Sequence, residues 1–422
     1  MNTPKSFRRA PLTTGIACCF ALTLSQLLVP VSARGAGFDA PVLNSAKYAG
    51  MGGTGIAFVD GGPSLYINPA GLGRIDKGDL YLAVTIIVPK LRASPTFLEP
   101  NLNLEQVVLP VAAPNVGFSV RLTDFLSVGA AAFPAGAAGG EYNYPLNDTS
   151  VEDQVKLILV EVGPAIAFNF DKIGLYIGAG YRITVSRLQR DFPVPPLDLN
   201  LDMRGVDFAG FRVGLQWQFT DWLSIGAVYR NEVSVNTNQK SGEEAIAIGP
   251  RESVSANVPL PSRVGGGVRL DFGSFGTAVE FEWLFNGEVQ TIPIVADPPL
   301  PENAAFVLDW KDQFFVRWGG EYAFFDDQWP VRLGFVYGSR SQSLEFPNAF
   351  GPTPAPEYVM TIGTGYNHGP WQMSLAYARL WSSTNIEVDT TEFLFTCPNC
   401  GGNGEYSAKG NFFFWDFTYS WR

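Results

Sequence analysis

Stretches of about ten residues in which large apolar side chains alternate with small or polar ones recur along the chain, and they limit its fold more than any other feature. In Trp329–Arg340, the side chains of Trp329, Val331, Leu333, Phe335 and Tyr337 fall on one face, and those of Pro330, Arg332, Gly334, Val336 and Gly338 on the other. Phe211–Thr220 and Trp371–Leu380 repeat the pattern, and Phe413, Trp415, Phe417, Tyr419 and Trp421 share one side of the last such stretch. One large apolar face and one small or polar face suit a wall with lipid on its outside. A soluble sandwich also alternates. Two features point away from it: aromatic residues recur at strand ends, and the connections alternate in length. Short turns fall at Thr123-Asp124, Asp171-Lys172, Thr220-Asp221, Gly273–Phe275, Asp326–Gln328 and Asn367–Pro370. Between them lie long segments at 137–153, 188–200, 232–260, 286–312, 339–357 and 382–410. Short periplasmic turns and long outer loops mark an outer-membrane barrel. Counting from Leu80–Pro89 to Asn411–Trp421 predicts about fourteen strands, an even number with both termini on the periplasmic side. The expected fold is an all-β, transmembrane antiparallel β-barrel in the outer membrane of a Gram-negative bacterium.

One register can be derived. A symmetric turn at Asp326-Asp327 sets Trp329 opposite Phe324, Val331 opposite Tyr322 and Phe335 opposite Trp318, all on the apolar face. Glu321 then lies opposite Arg332 on the inner face, an ion pair suited to a polar lumen.

The N-terminal part reads differently. Residues 1–33 have the form of a secretory signal: basic Lys5, Arg8 and Arg9, an apolar Gly15–Val29, then small residues that place the cut at 33 or as late as 35. Gly37–Asp79 is dense in Gly and Ala and carries neither a strand nor a helix period, so alone in water it would be disordered or a weak hairpin. Ahead of a barrel it reads as a plug: residues 36–79 form a hatch and 80–422 the barrel. The net charge of −11 and the lack of a basic stripe exclude a nucleic-acid partner. Cys397 and Cys400 form a CxxC, which can be a zinc half-site, a redox pair or a disulfide. Zinc needs further ligands and the chain has one histidine, His368, so in an exported chain a small disulfide stapling a loop is preferred.

A family signature lies in AGMGGTGIAFVDGGPSLYINPAG, ending in Asn68-Pro69-Ala70, with Ala36-Gly37-Phe38 before it, PSRVGGGVRLDF at 261–272, and the block Gln313–Gly338. Through these residues the chain resembles the FadL/TodX family of outer-membrane channels for hydrophobic compounds. The resemblance implies a monomeric 14-stranded barrel with an N-terminal hatch, passive transport of long-chain fatty acids or aromatic and aliphatic hydrocarbons, and exit sideways at a kinked third strand. It also implies that Phe38 enters the substrate pocket and that Asn68, Pro69 and Ala70 anchor the hatch.

Within the expected third strand, Phe133, Pro134, Gly136, Gly139 and Gly140 should kink or bulge the wall, because proline cannot donate to a ladder and glycines pack nothing. With the family's wall opening at this strand, the stretch reads as a lateral gate. Arg187 and Arg190, at the outer end of the fifth strand, are candidates for a ligand carboxylate. No catalytic residue, metal ligand or cofactor is expected, and the chain does not read as an enzyme: His368 lies in a short turn, far from where barrel hydrolases act. The partners expected are a hydrophobic small molecule, outer-membrane lipid and lipopolysaccharide. A general diffusion porin and a purely structural barrel are the competing readings.

Overall fold

The computed structural model describes residues 44–95, 104–107, 110–146, 149–194, 197–239, 245–247, 250–299, 305–347, 350–387 and 403–421. The expected signal segment, Phe38, Cys397 and Cys400 lie outside these residues. Fourteen wall strands run antiparallel. They are β1 Gly78–Pro95, β2 Val111–Thr123, β3 Leu126–Leu146, β4 Thr149–Phe170, β5 Leu175–Val194 and β6 Leu197–Thr220. Three interrupted strands follow: β7, Leu223–Arg230 continued by Val233–Gln239; β8, Ser253–Leu260 continued by Arg263–Phe272; and β9, Phe275–Leu284 continued by Thr291–Asp297. The wall ends with β10 Gln313–Phe324, β11 Trp329–Gly338, β12 Glu357–His368, β13 Trp371–Ile386 and β14 Gly404–Trp421. β1 pairs with β2 from Gly78↔Val120 to Ile87↔Val111 and with β14 from Gly78↔Trp421 to Pro95↔Gly404, which closes the sheet. A closed barrel satisfies every strand edge internally, as lipid requires.

The alternation sorts the side chains as expected. On β11, Trp329, Val331 and Leu333 are exposed while Arg332 and Val336 are buried. The β10–β11 hairpin has the derived register: Trp329 faces Phe324, Val331 faces Tyr322, Phe335 faces Trp318 and Arg332 faces Glu321. Outward-facing aromatics gather at both strand ends. At the short-turn end, Trp371 packs on Tyr419 with ring centres 4.4 Å apart, and Tyr322 on Phe324 at 4.6 Å. At the other end, Tyr358 packs between Tyr337 and Trp381, at 5.5 and 5.9 Å. These are the belts that sit at membrane–water boundaries.

Three of the long segments prove to be strand for most of their length, among them 232–260, which holds Val233–Gln239 and Ser253–Leu260. β3 and β4 stay paired out to Leu146↔Thr149, and β5 and β6 out to Val194↔Leu197. Past the hydrocarbon level neither face need be apolar, so the side-chain pattern fades while the backbone ladder continues to satisfy its own N–H and C=O groups. β1 begins at Gly78, two residues ahead of the expected Leu80.

Candidate functional site

Residues 44–77 form two short helices, α1 Ala46–Ala49 and α2 Gly61–Ile67, and a 3-10 turn, Pro69–Arg74. They are tied to inward-facing side chains from strands around the ring. Ser45 Oγ donates to Asp416 Oδ2 of β14 at 2.6 Å. Thr361 of β12 accepts from Gly52 N and donates to Gly50 O, both at 3.0 Å. Glu280 Oε1 of β9 accepts from Gly55 N at 2.6 Å and Ile56 N at 2.5 Å. Gln216 of β6 donates to Ile56 O and Val59 O, and Tyr81 of β1 to Asn44 O. The approach is close enough to require small wall residues. A Cβ on Gly334 would lie 2.0 Å from Gly52 N, and one on Gly214 would lie 1.9 Å from Asn68 Oδ1.

Asn68 is buried and fully engaged. Its Oδ1 accepts from Ala70 N at 3.1 Å, and its Nδ2 donates to Ile56 O at 2.7 Å, Leu215 O at 3.1 Å and Ala227 O at 3.3 Å. It thereby caps the 3-10 turn, joins two parts of the segment and ties both to β6 and β7. Pro69 stands at the first position of that turn, where its missing N–H costs nothing. Nearby, Lys47 Nζ lies 3.1 Å from Asp60 Oδ1, to which the Tyr48 hydroxyl also donates at 2.8 Å. Burial works against the Asp60 charge, but Lys47 and the Tyr48 hydroxyl outweigh it and hold the carboxyl below its ordinary range.

The third strand is irregular where its sequence says it should be. Its register with β4 shifts between Pro134 and Gly136, so Ala135 is bulged, and Gly139 takes φ +126°. Toward β2, the ladder runs from Thr123↔Leu126 to Val116↔Ala132 and resumes at the bridge Gln106↔Tyr142 and the 2.9 Å bond from Val107 N to Glu141 O. Across that interval Val111–Asn115 are laddered to β1.

Inside the barrel, polarity changes with height. Toward the long-loop end lies an apolar cluster that includes Ala135, Ala138, Leu157, Leu188, Met203 and Trp310. Closer to the short turns, Arg212, Arg230 and Arg263 stand opposite one another in a single cross-strand row on β6, β7 and β8. Like charges so placed repel, and carboxylates intervene. Glu161 binds Arg182 at 2.5 Å and Arg212 at 2.9 Å; Glu282 lies 3.7 Å from Arg263 and also pairs with Arg317. Tyr66 of α2 meets Phe133 of β3 edge to face, ring centres 4.9 Å apart, with the Arg212 guanidinium 5.2 Å from the Tyr66 ring and 5.6 Å from the Phe133 ring.

Glu321 and Arg332 come together on the inner face, Oε2 to Nε 2.6 Å. Phe133, Pro134, Gly136, Gly139 and Gly140 lie together along the bulged part of β3, with Gly140 against the Gln106 amide. Arg187 and Arg190 do not share a site. They are three residues apart on one strand, so period two sends them to opposite faces. Arg187 lies outward against Asp202, and Arg190 is buried on Asp153. The chain itself supplies a carboxylate to each of the two; the inward row of Arg212, Arg230 and Arg263 is a separate feature, which was not singled out from the sequence. The sequence did hold a signal for one of these, since Arg212 falls on the polar face of Phe211–Thr220; setting the three in one row needs the pairing of three strands.

A closed antiparallel barrel of this size, with a lipid-suited outer face and a polar lumen, defines an outer-membrane β-barrel protein. The sequence matches the family model "Outer membrane protein transport protein (OMPP1/FadL/TodX)" over residues 26–421. The chain belongs to that family. Its fold is similar to three solved structures. A Pseudomonas aeruginosa FadL homologue is 16% identical, with a TM-score of 0.72, covering 92% of this chain and 100% of that one. The Pseudomonas putida toluene transporter TodX is 15% identical, with a TM-score of 0.65 and the same coverage. The Ralstonia pickettii toluene transporter TbuX is 16% identical, with a TM-score of 0.64, covering 92% and 99%. No curated protein sequence matches. The family is one of outer-membrane transport.

Proposed function

We propose that this protein carries hydrophobic small molecules passively across the outer membrane, with residues 36–79 as a hatch and the interval between β2 and β3 as a sideways exit. The observation that carries the reading is the position of Ala135: it is the bulged residue of β3, it borders the break in the β2–β3 ladder, and it belongs to the apolar cluster of the lumen. A molecule held in that cluster gains about 0.8 kcal/mol for each methylene it buries, and leaving through the wall keeps it out of water. The Tyr66–Phe133 contact joins the hatch to the edge of the exit, so movement of one reaches the other. Asn68, Pro69 and Ala70 anchor the hatch, and Phe38, near its start, is the residue that the family resemblance sends into the pocket. The arginine row beside the apolar cluster favours a molecule with an anionic end, such as a long-chain fatty acid, over a neutral hydrocarbon. The protein acts as a monomer and catalyses no reaction.

The experiment is to purify the protein in detergent, identify co-purifying small molecules by mass spectrometry, and record single-channel conductance. Bound fatty acid with little steady conductance is the expected result. A clean preparation with large, stable ion conductance would establish a diffusion porin instead. Bound neutral hydrocarbon alone would retain the transport reading and remove the carboxylate preference.

A further inference from the structure

The outward face carries a second polar feature with no part in the lumen. At the long-loop end, one cross-strand row holds Tyr337, Tyr358 and Trp381 on β11, β12 and β13, and continues through Lys409 on β14 to Lys90 on β1. The aromatic belt thus gives way to two lysines at the same height. One outward step further from the short turns, Ser383, Ser407 and Arg92 are aligned, with Glu105 beside Arg92. One outward step nearer to them, Arg379 lies opposite Asn411 and donates to its Oδ1 at 2.7 Å. Lys90, Arg92, Arg379 and Lys409 therefore form a compact basic patch on the lipid side of a chain whose net charge is −11. Glu105 lies 2.5 Å from Lys90 and 3.1 Å from Arg92, and both cations keep about half of their side-chain surface exposed. Beside the patch is a cavity of about 580 Å³ whose lining includes Arg92, Ser383, Asn385 and Ser407 together with the carboxylates of Glu105 and Glu405.

An aromatic belt marks where hydrocarbon ends and head groups begin. Cations at that height, on the outward face, meet the head groups of the outer leaflet and not the solvent of the lumen. Long side chains reach that level with their stems along apolar surface, and ammonium and guanidinium groups bind phosphate through charge-assisted hydrogen bonds. Hydroxyl and amide groups lining the neighbouring cavity suit sugar hydroxyls. Phosphate joined to sugar, carried on acyl chains that lie along the wall below, is the chemistry of lipid A. We propose that Lys90, Arg92, Arg379 and Lys409 form a docking site for the phosphorylated disaccharide of lipopolysaccharide. This fixes one flank of the barrel in the outer leaflet, and it stands independently of what the lumen transports.

The test titrates the full chain in detergent with lipid A bearing both phosphates, with the same lipid A after removal of its phosphates, and with inorganic phosphate, reading binding by native mass spectrometry. The phosphorylated form is expected to bind at least tenfold more tightly than the dephosphorylated form. The combined variant Lys90→Gln, Arg92→Gln, Arg379→Gln, Lys409→Gln should lose that preference. Lys156→Gln, also on the outer wall but on β4, should retain it. Equal binding of the two lipid A forms, which needs no variant, would overturn the proposal. So would an unchanged preference in a variant that still migrates as a folded barrel, or displacement of lipid A by inorganic phosphate at equal concentration, which would mean a generic anion site. Fatty acid binding in the lumen, measured in the same preparations, should be the same for wild type and variant.

Discussion

Asn68 places four hydrogen bonds where the N-terminal segment 44–77, β6 and β7 converge, and all of its partners are backbone groups with little access to water. Asn68→Ala leaves them unmatched, at a cost of about 1–3 kcal/mol. Amide exchange across residues 56–72 should accelerate by about ten- to a hundredfold, while the wall strands keep their protection; unchanged exchange would mean that the anchor lies elsewhere. Asp60 gives a pH signature. Its folded carboxyl is held below the ordinary range by Lys47 and Tyr48, so its contribution is present above the unfolded value of about 3.9 and is lost as the pH falls through the lowered value. Conductance in planar bilayers should therefore rise only below about pH 4, and Asp60→Asn should show raised conductance at neutral pH without the acid step. Parity also decides matters at this scale. The pattern of β11 was enough to pair Glu321 with Arg332, whereas the same period two, applied to Arg187 and Arg190, separates them.

β3 is the element on which the transport reading depends. Asn115 and Phe133 are the next two positions the β2–β3 ladder would join beyond Val116↔Ala132. Cysteines at both, bridged by a short reversible cross-linker, should close the interval: uptake of a labelled fatty acid is expected to fall at least tenfold when cross-linked and to recover on reduction. Undiminished uptake by the cross-linked barrel would rule out exit at this place. The bulge itself was legible, because Pro134 and the glycines after it cannot sustain a regular ladder. The length of the strand was not. β3 continues to Leu146 through residues that show no wall pattern, since strand pairing there is driven by backbone bonds and not by a lipid-facing side.

For the whole molecule, closure rests on the β1–β14 ladder, to which residues 44–77 contribute no strand. Deleting those residues should leave a barrel that still shows heat-dependent gel migration but conducts ions steadily in planar bilayers; continued silence would show that the arginine row and the apolar cluster seal the lumen unaided. The sequence by itself determined the class of fold, the approximate strand number, the orientation implied by short and long connections, the inward and outward sorting of side chains, and the β10–β11 register. Each of these follows from side-chain period and turn chemistry, which are local. Only the tertiary structure decided which inward residues meet. Arg212, Arg230 and Arg263 come from three strands, and the ties of Glu280, Thr361 and Asp416 to residues 44–77 span more than two hundred positions of sequence. Alternation assigns a residue to a face but says nothing of its height on the neighbouring strand. Height is set by register summed around a closed barrel, and a single bulge such as that at Ala135 shifts it.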